Sequence, residues 1–299
     1  MLIPRLSLTA MAFFVSIALI GAAEPKEKDS PASIAKDQNQ LQAGKQLGDQ
    51  SVLARIALSD DDPDARKKAV MKISDQAVLT QVSLNDPYVH TSLRCGTITY
   101  TVRLIAVRKI SNNVFLSKIA SQGDVLSIRL EALQRITDPN LLMKLATEDK
   151  TSQIRAAATR KLTDVKILVR IAEEDKDSYV RAVAVTILPD HPTLLAKIAV
   201  SDTADIVRSS AVRKLDNMVL LEQIARKDGS STVRKSAVRM LTNQKLLNEI
   251  ALEDENWSVR SAAVTRIADQ SVIQHIANND DEPRIRRLAE ARLAKLQKK

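Results

Sequence analysis

The sequence predicts an all-α solenoid, an α-α superhelix of about nine two-helix units. Three observations predict it: a repeat period near 26 residues, capping residues at a fixed place in each period, and an apolar complement that is almost wholly aliphatic.

The period is carried by an arginine, preceded in most units by Val or Ile and followed by an Ala-rich apolar run. It recurs at Arg66, Arg103, Arg129, Arg155, Arg181, Arg208, Arg234, Arg260 and Arg286. The first spacing is 37 residues and every later one is 26 or 27. Such regularity over the whole array is the mark of one duplicated structural unit. The longer first spacing places an 11-residue insertion in the second unit, within about 86–100.

Each period reads as two short helices. Asp49, Asp75, Asn112, Asp138, Asp164, Asn217, Asn243 and Asp269 stand where the first helix opens. Their side-chain oxygens suit the orphan N–H groups of a first turn. Runs such as Leu141-Leu142-Met143-Lys144-Leu145-Ala146 then give one apolar stripe. The second helix follows the Val-Arg-x-x-Ala-Val pattern, as in Val207–Leu215, with apolar positions again on one face. Helices this short do not persist alone because nucleation is costly, so each unit must cover the next. At the usual spacing of packed helices, nine units make a curved rod of roughly 70–80 Å.

Composition agrees and excludes several classes. Aromatics are 2% of the chain and glycines number six, which argues against aromatic-lined ligand pockets and glycine-rich phosphate loops. The single Cys95 allows no intrachain disulfide. No Gly-x-Ser-x-Gly, His-Glu-x-x-His, Cys-x-x-Cys or Walker pattern occurs, and His90, His191 and His275 occupy different repeat positions. We therefore expect no enzyme and no cofactor.

Residues 1–23 read as a secretory signal: Arg5 in a charged start, an apolar run Leu6–Ile20, and Gly21-Ala22-Ala23 before a cleavage point at Glu24. An uncleaved anchor is the competing reading of the same run. Residues 24–48 are polar and read as a flexible linker, and 49–299 as the repeat domain. The expected location is secreted or periplasmic.

In several units an aspartate stands six residues before the arginine, giving the pairs Asp149 and Arg155, Asp175 and Arg181, Asp202 and Arg208, Asp228 and Arg234, Asp254 and Arg260, and Asp280 and Arg286. An arginine beside the apolar stripe needs such a partner, which makes this set a structural ladder. This Asp-x5-Arg pattern, with Val-Arg opening an Ala-x-x-Leu helix, resembles the HEAT-like repeat superfamily over about 49–296. Its short period also approaches the variant leucine-rich repeats. The resemblance implies an α-α superhelix whose turn Asp and helix Arg form a hydrogen-bonded ladder between neighbouring units. It further implies protein binding as the usual role; a minority of such repeats are bilin lyases and another minority bind DNA.

Binding residues are expected elsewhere. Five residues after the ladder arginine the helix points away from its core, a column holding Arg108, Arg160, Arg213 and Arg239, interrupted by Thr186. One residue later stand Lys109, Lys161 and Lys214, and the first helices add Lys144, Arg170 and Lys197. With small residues such as Ala156, Ala157, Ser209, Ser210, Ser236, Ser261 and Ala262 between them, these read as a shallow basic groove. Val183 is read as facing outward, and Trp257 as a packing residue. The insertion, with Tyr88, His90 and Cys95, is a second candidate for specific contacts; two ligand types alone make no metal site.

The net charge of +9 favours acidic partners. The leading expectation is a non-catalytic, exported scaffold for an acidic protein partner. Polyanion binding, to nucleic acid or acidic polysaccharide, is the alternative, and a bilin-lyase-like enzyme a remote one.

Overall fold

The computed structural model describes residues 50–87, 90–91, 98–99 and 101–297. The signal at 1–23, the linker at 24–48 and Asp49 lie outside the described residues. Among those described, eighteen helices follow one another in nine pairs. Units one to three are α1 (Gln50–Ser59) with α2 (Pro63–Lys72), α3 (Gln76–Asn85) with α4 (Thr101–Lys109), and α5 (Asn113–Gln122) with α6 (Leu126–Arg135). Units four to six are α7 (Pro139–Glu148) with α8 (Ser152–Thr159), α9 (Val165–Glu174) with α10 (Ser178–Ile187), and α11 (Pro192–Ser201) with α12 (Asp205–Val212). Units seven to nine are α13 (Met218–Lys227) with α14 (Ser231–Val238), α15 (Gln244–Glu253) with α16 (Trp257–Val264), and α17 (Gln270–Asn279) with α18 (Pro283–Leu296). No described helix is long and apolar enough to cross a membrane.

The capping residues do what their chemistry predicts. Asp75, Asn112, Asp138, Asp164, Asn217, Asn243 and Asp269 each accept a first-turn N–H. Unit six differs: His191 makes no such bond, and Pro192 at the first helical position starts α11 instead. The core is a continuous aliphatic layer, with residues such as Ile119, Leu195 and Val212 fully covered.

Second helices of adjacent units pack against one another along the whole array. First helices of adjacent units touch less, and least from unit four to unit eight. The layer of second helices is therefore the inner side of the curve. Small side chains permit that closeness: Ala156, Ala182, Ser209, Ser210, Ser236 and Ala262 are buried there. Of the small residues expected to floor an open groove, Ala156, Ser209, Ser210, Ser236 and Ala262 are thus covered by their neighbours, whereas Ala157 and Ser261 are half-buried.

The arginine ladder sets the register. Arg155 donates Nε and Nη2 to the two carboxylate oxygens of Asp175, 2.8 Å each, and Nη1 to the Asp149 carbonyl at 2.9 Å. The carboxylate partner is thus the turn aspartate of the following unit. The aspartate six residues earlier supplies only its carbonyl, which corrects the pairing expected within each unit. The same ion pair joins Arg181 to Asp202, Arg208 to Asp228, Arg234 to Asp254 and Arg260 to Asp280. Each turn aspartate also accepts the N–H two residues on, as Asp175 does from Asp177 at 2.8 Å. One residue thereby fixes its own turn, the preceding unit and its own second helix. Arg155 and Asp175 are 3% and 7% exposed, a depth that charges tolerate only when paired and hydrogen-bonded.

For Asp202, Asp228 and Asp280, burial by itself raises the carboxyl pKa. The hydrogen bonds from the ladder arginine and the turn N–H, with the arginine charges, outweigh burial and hold each below its ordinary value. A depressed carboxyl contributes stability that is complete above the unfolded pKa of about 3.9 and lost as pH falls through the folded value. Urea midpoints should therefore change little on this account from neutral pH to about 4, the unfolded aspartate value, and drop below it. In an Asp202→Asn, Asp228→Asn, Asp280→Asn variant that acid-dependent drop should shrink; an unchanged profile would remove the ladder as its source.

Two departures show how the ladder absorbs irregularity. Other units close the turn between their helices in three residues, as at 149–151, whereas unit two carries the insertion there. Its ends include a two-residue ladder, β1 (His90–Thr91) antiparallel to β2 (Ile98–Thr99), the one departure from an all-helical fold among the described residues. Asp86 still accepts Arg66 Nε at 2.7 Å, and its carbonyl accepts Arg103 Nε at 2.6 Å. The register therefore passes beneath the insertion.

In unit three the aspartate position holds Gly123. A Cβ there would lie 2.9 Å from the Ile119 carbonyl oxygen and 3.0 Å from Arg129 Cγ. Arg129 occupies that space, donating Nε to the Ala120 carbonyl at 2.6 Å, and Arg103 pairs with the next residue, Asp124, at 2.7 Å. Arg129 rejoins the pattern by pairing with Asp149.

The ninth unit is a polar end. Four residues after the ladder arginine, Val70, Val107, Leu133, Thr159, Val185, Val212, Val238 and Val264 are all fully buried. The equivalent Glu290 is exposed, as is Arg287 at a position held by buried Ala156 and Ser209 in earlier units.

Candidate interaction surface

The basic residues expected to bind separate into three groups with different tasks. Those six residues after the ladder arginine reach back to the preceding unit. Lys109 Nζ donates to the carbonyls of Val70 and Met71 at 3.0 and 2.6 Å. Lys161 Nζ donates to Leu133, Gln134 and Ile136 at 3.2, 2.6 and 2.6 Å. Lys214 Nζ takes the carbonyls of Thr186 and Leu188, and Arg135, Arg266 and Arg292 do the same to Ile110, Leu241 and Ile267. These cations satisfy the orphan carbonyls at the end of the previous second helix, where the helix dipole also favours positive charge. Burial lowers the pKa of all three lysines. Lys109, Lys161 and Lys214 are thus a second inter-unit clamp, running in the direction opposite to the arginine ladder.

The first-helix column lies on the outer side, and carboxylates are interleaved with it. Lys197 pairs with Glu173 at 2.8 Å. Arg170 shares a shallow depression with Glu148, Glu174 and Asp175, and Lys144 shares one with Glu148 and Asp149. Exposed pairs like Lys197 and Glu173 contribute about 0–1 kcal/mol, too little to matter for the fold. Their consequence is electrostatic: the outer face is mixed in charge.

The third group stands on the inner side. Arg108 is exposed but pairs with Glu131 at 2.8 Å. Arg160, Arg213 and Arg239 have no carboxylate partner among the described residues. Arg160 lies over the Tyr179 ring, 5.5 Å from its centroid, and also donates to the Tyr179 hydroxyl. Arg213 donates to Ser210 Oγ at 3.0 Å. Between them the second helices of units four to six leave a depression of about 310 Å³, lined by Tyr179, Val183, Thr186 and Ile206 as well as these two arginines. Val183 is buried at its floor, against the expectation that it faces outward, while Ile206 is 43% exposed. The depression is largely apolar and carries arginines without carboxylates at its edges.

Trp257 also differs from expectation. It is 43% exposed, and Arg284 of the next unit lies 5.7 Å from its ring. The two exposed aromatics among the described residues thus each sit under an arginine from a neighbouring unit, an arrangement that holds the cation in place by its attraction to the ring. Sequence reasoning missed this because stacking joins residues 19 and 27 positions apart, a pairing fixed only by how units cross. Tyr88, Cys95 and the His90 side chain lie outside the described residues.

No protein-family model matches the chain, and no curated protein shows significant similarity to it.

Proposed function

We propose that the chain is a non-catalytic, exported interaction scaffold of the HEAT-like kind, and that its inner face at units four to six takes an acidic segment of a protein partner that also carries an apolar side chain. The observation that carries the reading is the depression between Arg160 and Arg213, apolar at its floor and free of carboxylates at its rim. Export rests on the apolar leader and small-residue cleavage site in the first 23 residues. Restriction of binding to the inner side follows from charge: the outer cations have carboxylates beside them, and the column of Lys109, Lys161 and Lys214 is engaged with backbone.

The test places a photo-crosslinking residue at Thr186 on the inner side and at Val219 on the outer side of the exported chain. Crosslinks to one envelope protein are expected from position 186 alone. In Arg160→Glu, Arg213→Glu, Arg239→Glu, affinity for that protein should fall roughly tenfold or more, equivalent to about 1.4 kcal/mol. The melting temperature should hold, because these side chains are exposed. Equal crosslinking from both faces, or affinity unchanged by reversal, would refute the reading. Binding of a polyanion with a steep salt dependence that reversal abolishes would instead support the polyanion alternative.

A further inference from the structure

Eight ladder arginines pair with a carboxylate 20 or 21 residues further along the chain, and five of them, Arg155, Arg181, Arg208, Arg234 and Arg260, do so with both Nε and Nη2. The ninth does not. Arg286 is held as the others are, donating Nη1 to the carbonyls of Asp280 and Asp281, yet no carboxylate among the described residues reaches it. The opposite end has the other half of the same contact. Asp60 forms the ladder turn, its Oδ1 accepting the Asp62 N–H at 2.8 Å and its carbonyl accepting Arg66 Nη1 at 2.7 Å, but no preceding arginine among the described residues pairs with its carboxylate. The lysine clamp repeats this asymmetry: Lys72 stands in the column of Lys109, Lys161 and Lys214, is exposed, and has no preceding second helix to reach among the described residues.

We infer that the two ends of the solenoid are complementary, and that a second copy of this chain docks end to end, Arg286 of one copy receiving Asp60 of the next. The pairing required is the one that five arginines, Arg155 to Arg260, already make within the chain. One further pair of charges is opposite in sign: the ninth unit presents exposed Glu290, beside exposed Arg287, where the first presents exposed Lys68 and Lys72.

The contact is weak and reversible by construction. Glu290 and Arg287 replace the buried apolar and small residues that seal internal junctions, so no dry interface forms. What remains is polar, screened by salt, and heterologous, so growth is open-ended instead of closing at a two-fold dimer.

Sedimentation velocity of the exported chain tests this, at low salt and from about ten micromolar to about one millimolar, the range in which weak contacts fill. The expected result is a mean mass that rises with concentration past the dimer and returns to monomer at about 0.5 M salt, where screening is strong. Asp60→Asn keeps the acceptor for the Asp62 N–H while removing the charge, and should abolish the rise. Arg286→Asp and Asp60→Arg should each be monomeric alone and associate when mixed, because only the mixture pairs opposite charges at every contact. A rescue of that kind separates a docking defect from a folding defect. A single monomer throughout, growth that stops at a dimer, association unaltered in Asp60→Asn, or no association on mixing would each overturn the inference. A first-unit face already occupied by the chain preceding Gln50 would show as the first of these.

Discussion

Asp175→Ala should destabilise the protein by about 3–5 kcal/mol, the usual cost of removing one partner from a buried ion pair. Three N–H donors lose their acceptor together. The Arg155 guanidinium, 3% exposed, loses both bonds to the carboxylate, and the Asp177 N–H loses its acceptor. The Asp149 carbonyl cannot compensate, since it already holds Arg155 Nη1. The burden falls on the junction between units four and five, so unfolding in urea should shift to a lower midpoint and broaden as the array separates into two parts. Arg155→Met combined with Asp175→Leu should recover most of the loss, because apolar side chains of similar size leave no charge unpaired. A shift under about 1 kcal/mol for Asp175→Ala would mean that solvent reaches Arg155 and that the ladder is not what holds the units together.

Val238→Glu and Glu290→Val exchange the same two residue types at equivalent positions and should have opposite consequences. Val238 is fully buried in the aliphatic core, so a carboxyl there is stripped of water. The cost is expected at about 4 kcal/mol or more, whether the group is buried charged or forced to stay protonated. Glu290 is exposed, and Glu290→Val should leave the stability within about 0.5 kcal/mol of the parent. Equal destabilisation by both exchanges would show that the ninth unit is not an end.

Much of this architecture was legible in the residues. The spacing of Arg66 to Arg286 gives the number of units and the site of the insertion, and Asp138 or Asn243 marks a helix start. The nature of the ladder was legible only in part. Six of the nine arginines, Arg66, Arg155, Arg181, Arg208, Arg234 and Arg260, have two aspartates at fixed spacings, one six residues before and one twenty or twenty-one after, and periodicity alone does not choose between them. Asp86, twenty residues after Arg66, carried the signal that the register continues past the insertion. Lys161 and Arg160 look alike on a helical wheel, one residue apart, yet one caps α6 and the other covers Tyr179.

The sequence by itself determined what depends on near neighbours: two helices per unit, nine units, their caps and their apolar stripes. These follow from a 3.6-residue period and from hydrogen bonds within a few residues, which no distant contact needs to supply. The tertiary structure decided what depends on how one unit is set against the next: that Arg155 takes Asp175, that Lys109, Lys161 and Lys214 hold helix ends, that Gly123 makes room for Arg129, and that Arg160 and Arg213 flank an apolar depression. Those relations span twenty or more residues, and the crossing of the units is set by packing across the whole aliphatic core, a property of the layers together and of no single repeat.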